Sequence, residues 1–335
     1  MIQNENAITS APSKGGLRIA HVSDLHILDL KGVRPWAFLN KRVTGAINLL
    51  IKRKKAHSTA AVVRAFEQIH ALSPDHIVVT GDLTNLSLDS EYEAARRVIS
   101  EHAGGPELVS VIPGNHDTYT KSAARKKRFE HYFRPWMQSD LDNEDDYPYV
   151  KLLAEKIALV GISTCVPTPP LVATGEVGAD QRRRLRSVLS RPELEGRIII
   201  VAQHHHLVPP KHTSAKHEQS HNLIDHSEVM TVLLDGGVDM VIHGHNHQRG
   251  FTSHLRPDGG HMFVCEAGST SLVGNSDPHF GAKFNIYDLE PDNEGTLHLA
   301  RVTSHLYKND DVGFEPWIQE DAPFENCRSS NDPLE

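Results

Sequence analysis

The chain has 335 residues, room for one large α/β domain or two smaller ones. Lysine plus arginine total 35 against 43 aspartate plus glutamate, a net charge of −8 that speaks against a general nucleic-acid or membrane-surface binder. At 39% hydrophobic and 23% charged residues the composition suits a globular protein with a sizeable core and excludes a disordered or collagenous chain.

No apolar run approaches the roughly 18 residues of a membrane span, and the polar opening lacks the apolar stretch of a signal peptide. Cys165, Cys265 and Cys327 form no CxxC pair. The expectation is a cytoplasmic protein without disulfides. The unusual number is 23 histidines, because nothing structural demands so many imidazoles.

Residues 1–16 lack apolar periodicity and read as a flexible lead-in to a domain over 17–306. Short β-branched runs predict strands at Leu17–Ser23, His76–Thr80, Leu108–Ile112, Ile157–Thr164, Arg197–Gln203, Met240–His243 and His261–Glu266. Between them Ser58–Leu72, Ser90–His102, Ala179–Leu189 and Asp225–Leu234 carry apolar residues at helical spacing, as crossover helices over a largely parallel sheet would. Phe263–Ala267, Lys283–Leu289 and Thr296–Thr303 follow one another without a helix and suggest a second, more antiparallel sheet.

Two insertions are expected, near 31–57 and 118–149. In the first, Leu39, Val43, Ile47, Leu50 and Ile51 share one stripe of an amphipathic helix ending in Lys52–Lys55. Packing on the domain is the simpler reading, and a peripheral membrane or substrate contact through 36–55 is the alternative. In the second, Arg125–Arg128 and the aromatics Tyr119, Phe129, Tyr132, Phe133 and Trp136 either hold a phosphate and stack a base or form an ordinary helix with a solvated face. Residues 307–335 read as a loosely packed acidic tail.

Each of five apolar runs ends in metal-competent side chains: Asp24-Leu25-His26, Gly81-Asp82, Gly114-Asn115-His116-Asp117, His204-His205-His206 and Gly244-His245-Asn246-His247. The carboxyl ends of parallel strands lie along one edge, so these residues can converge there. The i, i+2 pairs Asp24/His26 and His245/His247 would share a side of extended chain. Singly, an Asp-x-His, a Gly-Asp or a strand-end His is common by chance, and Gly-Asn-His-Asp and Gly-His-Asn-His are rarer; all five, in order and each after an apolar run, point to metal. The donors Asp24, His26, Asp82, Asn115, His204, His245 and His247 exceed one tetrahedral site. With one bridging carboxylate they would serve two ions about 3.5–4 Å apart, and without a thiolate the set suits Mn, Fe or Zn.

In this order the motifs resemble the calcineurin-like metallophosphoesterase superfamily, whose pattern is D-x-H, G-D, G-N-H-D/E, a strand-end His and G-H-x-H. The resemblance spans about Leu17 to Tyr287 and implies a four-layer αββα sandwich of two mixed sheets. It implies Asp24, His26 and His247 on one ion, Asn115, His204 and His245 on the other, and Asp82 between them. His116 would stand near the scissile phosphate without binding metal, with Asp117 as its orienting partner. His204 is the expected ligand of its triplet, and His205 the alternative. His212, His217, His221 and His226 read as surface residues of a polar loop.

Gly81-Asp82-Leu83-Thr84-Asn85-Leu86-Ser87 departs from the protein-phosphatase pattern. It is similar to bacterial class III cyclic-nucleotide and glycerophosphodiester phosphodiesterases, with Asn85 in place of an Asp. The expected reaction is hydrolysis of a small phosphodiester by a metal-bridging hydroxide, with His116 protonating the leaving oxygen. A phosphomonoesterase on the same site is the alternative, a non-catalytic interaction module on this fold is the rival of another class, and no stable nucleic-acid complex is expected.

Overall fold

The structure is a computed structural model that describes residues 12–31, 33, 56–169, 172–208, 220–274, 277–322 and 328–329. The amphipathic segment expected at 36–55 lies outside the described residues, as do His212 and His217.

The β-branched runs become strands β1 (Leu17–Val22), β2 (His76–Val79) and β3 (Val109–Val111), then β4 (Tyr149–Leu153), β5 (Ile157–Gly161), β6 (Ile198–Ala202) and β7 (Met240–His243). The later strands are β8 (Gly250–Leu255), β9 (His261–Glu266), β10 (Lys283–Pro291), β11 (Leu297–Asn309), β12 (Gly313–Asp321) and β13 (Arg328–Ser329). They form a six-stranded sheet, ordered β12-β11-β10-β1-β2-β3, and a seven-stranded sheet, ordered β13-β8-β9-β7-β6-β5-β4. Both sheets are mixed. β1, β2 and β3 run parallel, as do β5, β6, β7 and β9, while β10 meets β1 antiparallel with Leu17 opposite Leu289.

Side-chain alternation places the layers. Ile198, Ile200 and Ala202 of β6 join the core between the sheets, while Ile199 and Val201 face the outer core with Leu185, Leu189, Val229 and Leu233. Those four belong to helices Ala179–Leu189 and Asp235-ending His226–Asp235, which cover the seven-stranded sheet. Helices Thr59–Ala71 and Asp89–Val98 cover the six-stranded one. In the first, Ser58 caps the N-terminus by accepting from Ala61 N (3.2 Å), and Val62, Ala65, Phe66 and Ile69 are buried. Helix, sheet, sheet and helix stack as the four layers that the sequence motifs implied.

Two expectations change. The run of late strands does not make one separate sheet, because β9 stays in the seven-stranded sheet while β10 pairs onto β1 and β11 onto β10. The chain therefore passes from one sheet to the other between β9 and β10. The tail is also not loose through residue 321: β12 pairs antiparallel along β11, Phe314 is buried, and Gln68 binds the Phe314 backbone at both N (2.7 Å) and O (3.1 Å).

Candidate metal centre

The loops leaving β1 and β2 continue the sheet's pairing past the strands. Asp24 N donates to Gly81 O (3.0 Å) and His26 N to Asp82 O (2.8 Å). Gly244 N donates to His204 O (3.2 Å), and the crossing segment closes the rim through Thr270 N to Ser23 O (2.9 Å). All seven expected donors thus reach one edge. The i, i+2 spacing works differently from expectation. Asp24, His26, Asp82, His245 and His247 have φ of 54°, 46°, 53°, 82° and 58°, so left-handed turns rather than extended chain aim these side chains inward. Each such residue costs on the order of 1–2 kcal/mol, a strain characteristic of sites where geometry is imposed by function.

Tautomers show what this geometry requires. His204 donates Nδ1–H to Thr80 O (2.7 Å), and His245 donates Nε2–H to His221 O (2.9 Å), because a carbonyl oxygen only accepts. Lone pairs on His204 Nε2 and His245 Nδ1 then face Asn115 Oδ1, each at 3.1 Å. Burial lowers the pKa of both imidazoles, so neither supplies a second proton there. Three acceptors converge with no hydrogen to share.

A matching cluster lies beside it. Asp24 Oδ1 is buried without a hydrogen-bond partner, 3.2 Å from His247 Nε2, which is itself 3.2 Å from His26 Nε2. Donors bound to one ion at about 2.1 Å stand roughly 3.0–3.4 Å apart at right-angled to tetrahedral geometry. Asp82 lies between the clusters, its Oδ2 3.8 Å from His26 Nε2 and its Oδ1 3.5 Å from His204 Nε2. The residues present therefore fit two cations. Burial opposes ionisation of Asp24, yet the adjacent His247, with His204 and the Ser23 hydroxyl, holds its carboxyl well below the usual range.

His205 is turned away: its Nδ1 meets Thr164 Oγ1 (2.7 Å) and its Nε2 meets Ala173 O (3.1 Å). His116 faces the centre, its ring 5.1 Å from that of His26 and stacked on Tyr119 at 5.5 Å. Its Nδ1–H donates to Asn85 O (2.7 Å), and the Asn85 amide donates to His26 O (2.7 Å). Asn85, not Asp117, orients His116. The Asp117 carboxylate instead accepts from Leu83 N (3.1 Å), Thr84 N (2.8 Å) and Gly114 N (2.9 Å), tying the loops after β2 and β3 together; burial pushes it up to about 6.

Three residues escaped the sequence reading. His57 packs edge-on to His26 at 4.5 Å and lies 5.8 Å from the His247 ring. Glu266, at the end of β9, is buried, pushed up to about 8 by desolvation, and accepts from Asn246 N (3.1 Å) and Gln248 N (3.4 Å). His221, expected on the surface, lines the cavity over the centre, about 220 Å³ bounded also by Asp82, Asn115, His116, Ala173, His245, Asn246 and His247. A following strand end marks Glu266; a lone histidine marks nothing.

Two cations of the basic segment near 125–128 are held in ion pairs. Lys127 pairs with Asp145 (3.0 Å) and Asp146 (2.7 Å), Arg128 with Asp89 (3.3 Å), and Phe129, Phe133 and Trp136 are core residues. Of its aromatics Tyr119 alone touches the centre through His116. Among the described residues no helix is long and apolar enough to cross a membrane.

A calcineurin-like phosphoesterase family model matches residues 17–249. Similar solved structures include a purple acid phosphatase from yellow lupin (Lupinus luteus) seeds, 10% identical with a TM-score of 0.56 over 96% of this chain and 56% of that one. A putative 5′-nucleotidase from Staphylococcus aureus is 14% identical with a TM-score of 0.48, over 85% of this chain and 52% of that one. The phosphopantetheinyl hydrolase of Mycobacterium tuberculosis is 13% identical with a TM-score of 0.45, over 84% and 98%. The chain thus spans about half the length of the first two, and at 10% identity the likeness to the purple acid phosphatase is one of fold. No curated protein matches. The matched span runs from before Asp24 to beyond His247 and so holds every expected donor, and the chain belongs to the calcineurin-like phosphoesterase family.

Proposed function

We propose that the protein is a dinuclear-metal phosphoesterase whose substrates are small phosphodiesters. Family membership supports a metal-dependent phosphoester hydrolase. The observation that carries the two-ion reading is the meeting of His204 Nε2, His245 Nδ1 and Asn115 Oδ1, acceptors without a proton between them, beside the Asp24, His26 and His247 cluster. In this reading Asp24, His26 and His247 hold one ion, Asn115, His204 and His245 the other, and Asp82 both. His204 is preferred over His205 because both His205 nitrogens are already engaged.

When bound, Mn, Fe or Zn ions would supply Lewis acidity toward the phosphoryl oxygens and activation of water at neutral pH. His116, once protonated on both nitrogens, would hold the proton for the leaving oxygen at Nε2, since its Nδ1–H is committed to Asn85 O. Tyr119 stacks on that ring and limits its rotation. Asp117 keeps the Asp82 and Asn115 loops in register.

The choice of diester rests on charge. Among the described residues lining the cavity there is no lysine or arginine. A diester carries one negative charge, whereas a monoester dianion calls for further cations. Closeness to cyclic-nucleotide and glycerophosphodiester phosphodiesterases, suggested by the run from Gly81 to Ser87, belongs to the same proposal, as does a cytoplasmic setting, supported by free Cys165 and Cys265. The test is turnover of bis(p-nitrophenyl) phosphate, p-nitrophenyl phosphate and 3′,5′-cyclic AMP by Mn-loaded protein. Faster diester turnover is expected. Preference for the monoester overturns the substrate class, and metal-free, inert protein favours a non-catalytic module.

A further inference from the structure

We propose that His57 is a further ligand of the metal centre, an additional imidazole for the ion assigned to Asp24, His26 and His247. This rests on the dinuclear reading and adds a residue outside the strand-end motifs. The ligating nitrogen of His57 lies in one group with those of His26 and His247, all within 4.8 Å of one another.

The backbone holds it there. Ser58 N donates to Ser271 O (2.8 Å) and Gly274 N to Ala56 O (3.1 Å), so residues 56–58 pair with the segment that crosses between the sheets. His57 itself bridges antiparallel to Leu272. The ring is therefore placed by two chain segments, and its position beside His26 is built into the fold.

The tautomer suits a ligand. Ser271 Oγ donates to Asp24 O (2.9 Å), a carbonyl that only accepts. Asp24 O also accepts from Ser269 Oγ (2.8 Å), and in the arrangement in which Ser271 donates to it the 2.7 Å contact with His57 Nδ1 has the imidazole as donor. Nε2 then carries the lone pair. Metal-binding histidines characteristically donate the other ring N–H to a fixed oxygen, as His204 does to Thr80 O and His245 to His221 O. Ser271 thus links His57 to the backbone of Asp24, coupling two residues of the same ion.

Three imidazoles and two carboxylates would make this the tighter ion, and Asn115, His204, His245 and Asp82 would hold the weaker and more open one. The substrate phosphate would therefore add on the Asn115 side.

The test is equilibrium dialysis of the full chain against buffered Mn²⁺, with bound metal read by mass spectrometry. Wild type should bind two ions, and His57→Ala should lose affinity for one of them by about 100-fold or more, at or beyond what loss of an outer-sphere partner costs. His57→Phe keeps a ring edge-on to His26 and removes only the nitrogens, so it should behave as His57→Ala does. Free imidazole should restore the lost ion in His57→Ala alone. Two ions bound at wild-type affinity in His57→Phe would overturn the assignment of His57 while leaving the dinuclear centre standing. Fewer than two ions in wild type would overturn the dinuclear reading, and the assignment of His57 with it.

Discussion

Gly114 lies so close to Asp82 that a β-carbon on it would stand 2.1 Å from the Asp82 backbone nitrogen and 2.2 Å from its Oδ1. The loop after β3 can approach the carboxylate between the two clusters only because this residue has no side chain. Gly114→Ala should therefore displace Asp82 and lower kcat/KM by about 100-fold or more, the order expected for a shift of about 1 Å in a reacting site. Metal content and turnover, compared at matched thermal stability, check this.

His116 faces the centre but is assigned to the proton and not to metal. His116→Ala should keep both ions while kcat falls by about 10²–10⁴-fold. The loss should be smaller for a p-nitrophenyl diester than for an alkyl diester, whose leaving oxygen needs the proton more. Loss of an ion from the variant would instead make His116 a ligand, in keeping with its place beside His26 and Asp82.

Glu266 touches no expected ligand side chain, yet it holds the turn that carries His247 through Asn246 N and Gln248 N. Glu266→Ala should weaken the ion bound by His247 by about 10–100-fold and spare the other. A metal titration with two resolved affinities reads the difference.

Acid should destabilise the fold through histidines remote from the centre. Burial lowers His76 to about 3 and His305 to about 4, the latter with the Arg18 cation nearby. Between about 6.5 and 4 the unfolded chain binds protons that the native state refuses, so stability falls as pH falls through that window, by up to about 1.4 kcal/mol per pH unit for each histidine. His305 stacks on Phe284 at 4.6 Å, so His305→Phe preserves the packing and removes the proton site. Its melting temperature should vary less steeply with pH over this range, and an unchanged slope would contradict the assignment.

The donors of the centre were legible because each follows a strand, and the strand ends of an α/β fold share an edge. Asp24 and His247 could thus be paired across most of the chain without knowing the sheet order. What brings them inward was not legible: left-handed backbone at Asp24, His26, Asp82, His245 and His247 depends on glycines and loop contacts from other strands. Asp117 follows His116 in sequence but points the other way, because a turn residue's neighbours need not share its face. His57 follows no strand, and its place is set by pairing with residues 271–274. β12 was missed because Glu315 and Pro316 interrupt its apolar pattern, and its stability comes from pairing with β11 and from Gln68.

The most direct measurement is the number of Mn²⁺ ions held per wild-type chain at equilibrium, set beside the same number for Asp82→Asn. Two ions in wild type, with affinity for both reduced in the variant, is the result this account predicts. One ion or none in wild type, or two ions bound with unchanged affinity once the Asp82 carboxylate is gone, would contradict it.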